Sequence, residues 1–180
     1  VGHACEAPGG VVAPPAGVAA AVGGLGLAEQ LAGGAVGIAG GAGLITPDIT
    51  PDSAAEWIEV SERVGLDRVF LAAPSSSDDR LRLVAEATTG FVYTVSTMGI
   101  TGERAQLDAA ARGLTSRLRA QGADLACVGI GISTAEQVAA ALEYADGAIV
   151  GTVFVRALRD GGVAQLAATV REIAAGTARS

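Results

Sequence analysis

Aromatic residues make up only 3% of this 180-residue chain, so its core has to be assembled from Val, Leu, Ile and Ala. Cysteine is nearly absent too: Cys5 and Cys127 supply neither a disulfide framework nor a metal-ligand spacing. Cys127 lies inside an apolar run and reads as a small core residue. With His3 as the single histidine, Ser–His–Asp, Cys–His and histidine–zinc chemistry lack their material. No basic tract exists and the formal net charge is −7, which argues against nucleic acid and anionic membranes as partners. No apolar run reaches the ~20 residues of a membrane span, and the basic-then-apolar layout of a signal peptide is missing. The chain therefore reads as soluble and cytoplasmic. An anionic ligand would have to be held by local dipoles, because the overall field repels it.

What is present divides into two parts. Residues 1–42 read as a low-complexity segment, irregular or helical. The first 43 positions hold 13 of the 26 glycines, together with Pro8, Pro14 and Pro15. They contain no aspartate, and Glu6 and Glu29 are their only acids. A helix over about Val18–Leu31 is conceivable, weakened by its glycines at about 1 kcal/mol each relative to alanine.

Residues 43–180 are regular. Short apolar runs (GLITP, DRVFLAAP, FVYTVS, LACVGIG, GAIVGT) alternate with amphipathic, charged segments. The runs are continuously apolar, as in strands covered on both faces. Asp52 or Ser53, Ser77 or Asp78, and Ser133 with Glu136 three residues later supply helix caps. Gly65 and Gly122 stop helices. Five βα units result, hence a parallel sheet with right-handed crossovers. A full (β/α)8 barrel takes about 250 residues, so the architecture expected is α/β, a partial TIM-type barrel.

In such folds chemistry gathers at the C-terminal strand ends. The last three ends, STMGITG, GIGIS and VGT, each set glycine backbone beside a hydroxyl, with no Lys or Arg within the stretch. Glycine N–H groups and helix N-termini form anion sites without side-chain cations. One such corner is weak evidence, since most G-x-G pairs merely solve a turn. Three in consecutive units indicate phosphate binding. In barrels that site lies after strands 7 and 8, which would make GAIVGT strand 8 and GLITP strand 4.

Read in that order, GLITPDITPDSA, FLAAPSSSDDRL, GFVYTVSTMGITG, VGIGISTAEQV and ADGAIVGTVFVRAL resemble the second half of the tryptophan synthase alpha chain. The likeness runs from about Gly40 to about Ala175. It implies a (β/α)8 barrel that cleaves indole-3-glycerol phosphate to indole and glyceraldehyde 3-phosphate. It also implies a partner, a beta subunit that carries pyridoxal phosphate, with no cofactor in this chain itself. Carried over by motif, the phosphate would meet the backbone at Gly102, Gly131 and Gly151, with Thr152 at a family serine position. Tyr93 and Asp48 would line the pocket, and Thr101 would belong to a lid hinged by Gly99 and Gly102.

One departure stands out. The family's proton transfers use a glutamate and an aspartate in and after strand 2, and no segment here resembles that motif. No catalytic residue is therefore assigned, and impaired turnover is expected. The alternatives are a non-catalytic phosphate-ligand-binding or beta-subunit-binding fragment, or another phosphate-binding barrel using Asp48 or Asp78. Five strands that fail to close would leave open sheet edges, through which a second copy would associate.

Overall fold

The computed structural model describes residues 19–21, 41–95, 104–129 and 131–178, with 19–21 and 104–108 described by backbone alone. Strand and helix alternate through β1 (Ala19–Ala21), β2 (Gly43–Ile45), α1 (Ala55–Val64), β3 (Asp67–Val69), β4 (Leu71–Ala72), α2 (Asp78–Ala87) and β5 (Val92–Val95). They continue through α3 (Arg104–Ala120), β6 (Ala126–Gly129), α4 (Ala135–Leu142), β7 (Gly147–Ala148) and α5 (Thr152–Ala174). All pairings are parallel and follow chain order, β1–β2–β3 and β4–β5–β6–β7.

The two sheets meet at Phe70, the one residue between β3 and β4. Thr46 N–H donates to the Val69 carbonyl at 3.2 Å on one side, and Tyr93 N–H donates to the Phe70 carbonyl at 2.9 Å on the other. Residues 67–72 thus act as one extended run that links the halves of the array. From β2 onward, this is the run of five parallel βα units expected of a partial TIM-type barrel.

The helices cover one face of the sheet. Leu44, Phe70, Ala72, Val92 and Ala126 pack against Trp57 and Val60 of α1, Leu81 and Val84 of α2, and Leu114 and Leu118 of α3. A second cluster joins Val128 and Ile132 to Val138 and Ala141 of α4 and to Ile173 of α5. Burying side chains such as Leu81 and Leu118 contributes about 1.5–3 kcal/mol each. Arg68 is buried among them without being stranded. Its guanidinium donates to the Ala87 carbonyl (2.9 Å), Ser61 Oγ (2.8 Å) and Glu62 Oε1 (3.4 Å), and so ties α1 to the end of α2.

Local signals explain most boundaries. Ser77 caps α2 by accepting from Arg80 N–H. Gly65 ends α1 with φ 68°, and Gly122, with φ 91°, turns the chain after α3. Gly161 and Gly162 break α5, the latter with φ 65°, so that Thr152–Asp160 and Val163–Ala174 run as separate segments. Beyond α5, Gly176 seats directly on the first residue of α4. A Cβ there would fall on the Ala135 carbonyl and come within 2.9 Å of Val138 Cβ.

Four expectations need correction. Ala19–Ala21 form a strand and not part of a helix over 18–31: pairing with Gly43–Ile45 outweighs alanine's helix preference. Two of the strands, β5 and β6, are not fully buried on both faces. In β5 and β6, Val92, Thr94, Ala126 and Val128 are buried, whereas Tyr93, Val95, Cys127 and Gly129 are only half-buried on the side away from the helices. The first helix has Ala54 at its cap position, because Ser53 is spent in a short 3-10 turn capped by Thr50. Finally, α4 is capped by Thr134, one residue beyond Ser133.

Candidate functional site

β6 and β7 pair with Cys127 opposite Gly147 and Val128 opposite Ala148, and Ile149 N–H donates to the Val128 carbonyl at 2.8 Å. Gly131 and Gly151 each lie three residues past the pair Val128–Ala148. The chain therefore leaves two neighbouring strands at one level through two glycine corners. Gly131 has φ 67°, which a side chain would strain, and both glycines face open space.

The two corners differ electrically. At α4 the first turn is already filled by the chain itself. Thr134 accepts from Gln137 N–H (3.4 Å), and Gln137 Oε1 accepts from Ser133 N–H (2.7 Å). The Glu136 carboxylate is held below its usual range by a hydrogen bond from its own backbone N–H and a second with the Thr134 side chain. At α5 none of this occurs. Gly151 stands at the cap position without a side-chain cap, and no acid lies in the first turn. Its carbonyl is used by Phe154 and Val155 N–H, which leaves the amides around Gly151 and Thr152 as the open, positive end of a helix. Such an end accommodates a phosphate without a cationic side chain.

Beside these corners the Tyr93 ring lies on β5, in register with Cys127. A Cβ on Gly129 would come within 2.5 Å of Tyr93 Cε2 and of its hydroxyl oxygen, so the absent side chain at Gly129 makes room for the ring. Burial raises the Tyr93 phenol above its ordinary range. Cys127 projects over Gly147 in the same manner, where a Cβ would lie 2.6 Å from Sγ. Burial first, and the nearby Asp146 charge second, push this thiol up to about 12. That disqualifies it as a nucleophile at neutral pH.

Of the residues singled out in the sequence, Gly131, Gly151 and Thr152 come together on adjacent loops, with Tyr93 one strand away. Asp48 is exposed in the turn after β2, separated from β6 by β3/β4 and β5. Thr101 and Gly102, with Gly99, lie outside the described residues. Asp78 is engaged by Arg117, whose Nη2 donates to it at 2.6 Å. Two contributors went unread in the sequence. Gln137 was legible, because STAEQ contains two overlapping capping-box spacings and the structure uses the second. Arg117 was not: it donates to the Pro74 carbonyl (3.2 Å) and the Ser76 carbonyl (2.6 Å) from about 40 residues away, and no local pattern announces that.

Comparison with known proteins bears on the family and the fold. The profile of the family described as "Tryptophan synthase alpha chain" matches residues 29–178. Among curated relatives, the tryptophan synthase alpha chain of Leifsonia xyli is 62% identical over 138 residues, covering 77% of this chain and 53% of the relative. That of Mycobacterium avium is 53% identical over 134 residues, covering 74% and 49%. A solved tryptophan synthase structure from Mycobacterium tuberculosis superimposes with TM-score 0.75 at 44% identity, covering 84% of this chain and 57% of that one. The chain thus spans about half the length of the curated relatives it matches. On its sequence and its parallel βα array, the chain belongs to the tryptophan synthase alpha chain family.

Proposed function

We propose that this chain supplies the phosphate-holding part of an enzyme of tryptophan biosynthesis that cleaves indole-3-glycerol phosphate to indole and glyceraldehyde 3-phosphate, a lyase reaction. The observation that carries this reading is the pair of neighbouring corners at Gly131 and Gly151, one of them opening an uncapped, acid-free helix. The phosphate would rest on the backbone at Gly131, Gly151 and Gly102 and on the Thr152 hydroxyl. Tyr93 and Asp48 would line the pocket, with Thr101 in the lid.

Turnover by this chain would be impaired. The reaction needs an acid to protonate indole C3 and a second group to assist proton removal. The first 43 positions offer only Glu6 and Glu29, in contexts unlike the family motif. The same observation favours a second reading, a non-catalytic fragment that binds a phosphorylated ligand or a beta subunit. Pyridoxal phosphate would belong to that partner, since this chain contains no lysine on which to carry it. A cytoplasmic location fits the role, and among the described residues no helix is long and apolar enough to cross a membrane.

Self-association is part of the proposal. Among the described residues β7 pairs only with β6, and α5 beside it exposes Val155 (68%) and Val163 (75%). A second copy would cover this edge, and a clean monomer in size-exclusion chromatography would rule that out. For the function itself, indole release from indole-3-glycerol phosphate is the test. No release, with saturable binding of glycerol 3-phosphate, supports the non-catalytic reading, and robust release supports the enzyme. No binding at millimolar ligand overturns both.

A further inference from the structure

We infer that Gln137 is the positioning residue of the phosphate cup, setting the Gly131 corner that receives a dianionic phosphomonoester. This rests on the phosphate reading above and adds a residue to it. Between β6 and α4 the corner is fixed at two points. Ile132 is inserted into the core at 4% exposure. Ser133 N–H donates to Gln137 Oε1 at 2.7 Å, and the Ser133 hydroxyl lies 3.3 Å from the same oxygen. Gln137 is held in turn by its own N–H on Thr134 Oγ1. From behind, Gly176 braces the first turn of α4 against Ala135. With the two residues that follow it pinned, Gly131 is held at its φ of 67°, and a Cβ built there would meet nothing within 4 Å.

The neighbouring charges explain why a tether is needed at this position. Glu136 places a carboxylate on the first turn of α4, where the donors are already used: its own N–H by that carboxylate, the Gln137 N–H by Thr134 and the Ser133 N–H by Gln137. An incoming phosphate is thereby left to meet this strand end through the Gly131 backbone, and the contact is only as well placed as the loop. A neutral amide at position 137 supplies the acceptor for Ser133 without adding a second negative charge beside the ligand.

The test is titration of the full chain with glycerol 3-phosphate, followed by amide shifts at Gly131 and Gly151. It is run on the parent, Gln137→Ala and Gln137→Glu, with ligand-free hydrogen exchange at the Ser133 amide and thermal midpoints alongside. Gln137→Ala is expected to speed Ser133 exchange and to weaken glycerol 3-phosphate binding about 3–10-fold, the worth of one net hydrogen bond. Gln137→Glu keeps the acceptor, so Ser133 stays protected, while binding weakens further and recovers in part with added salt. Parent-like affinity in Gln137→Ala, whatever its thermal midpoint, overturns the inference and leaves the phosphate reading standing. Failure of the parent to bind overturns both.

Discussion

Tyr93 lies so close over Gly129 that a methyl group on the glycine would come within 2.5 Å of the ring edge and of the hydroxyl oxygen. The first glycine of the G-x-G stretch is therefore a seat for an aromatic ring on the neighbouring strand. The second, Gly131, is exposed and carries the left-handed turn. Gly129→Ala should displace Tyr93 and cost about 1–3 kcal/mol by overpacking, read from urea unfolding by the fluorescence of Trp57, the only tryptophan. Adding Tyr93→Ala to Gly129→Ala should restore much of the loss, and a double-mutant cycle without coupling would show that the ring does not depend on the glycine.

Thr152 opens α5 at a turn that lacks any acid. Thr152→Asp should stabilise the helix by about 0.3–1 kcal/mol through its dipole, and should weaken glycerol 3-phosphate binding roughly tenfold or more by like-charge repulsion. Thermal unfolding and titration thus move in opposite directions. Unchanged binding in this variant would place the phosphate elsewhere.

Cys127 should resist alkylation while the chain is folded. With its thiol pushed up to about 12, only about one molecule in ten thousand is thiolate at pH 8. Peptide-resolved mass spectrometry after iodoacetamide, with and without urea, separates Cys127 from Cys5. Folding raises this pKa, so the thiol's contribution to stability is complete below the ordinary thiol range. It is lost as pH climbs from that range toward about 12. Cys127→Ala should flatten the alkaline fall of the urea midpoint within that window.

Arg117 clamps the loop between β4 and α2 through the Pro74 and Ser76 carbonyls and Asp78. Arg117→Lys removes the fork that reaches all three. Because the side chain is 38% exposed, a loss of about 1–2 kcal/mol is expected. Urea unfolding measures it, and faster amide exchange at Ser76 should accompany it.

The array of βα units was legible because GLITP, DRVFLAAP and FVYTVS carry apolar density that no amphipathic helix would show, and because Gly65 and Gly122 end helices by backbone geometry alone. The glycine corners were legible for the same local reason. Ala19–Ala21 was not, since three alanines carry no strand signal and become a strand only by pairing with β2. The cap of α4 slipped by one residue because Ser133–Glu136 and Thr134–Gln137 satisfy the same rule, and only the burial of Ile132 and Val138 decides between them. The partners of Arg117 and the seat beneath Tyr93 were beyond reach, being contacts between strands and helices far apart in sequence.

The seat of Gly176 on Ala135 sets an order of events during synthesis. The two residues are about forty positions apart in the chain. At 5–20 residues per second, α4 waits roughly 2–8 s after leaving the ribosome before its backing arrives. The corner at Gly131 is thus braced only after α5 has followed it out. A nascent chain that stalls within α5 would display its strands well before this brace is in place.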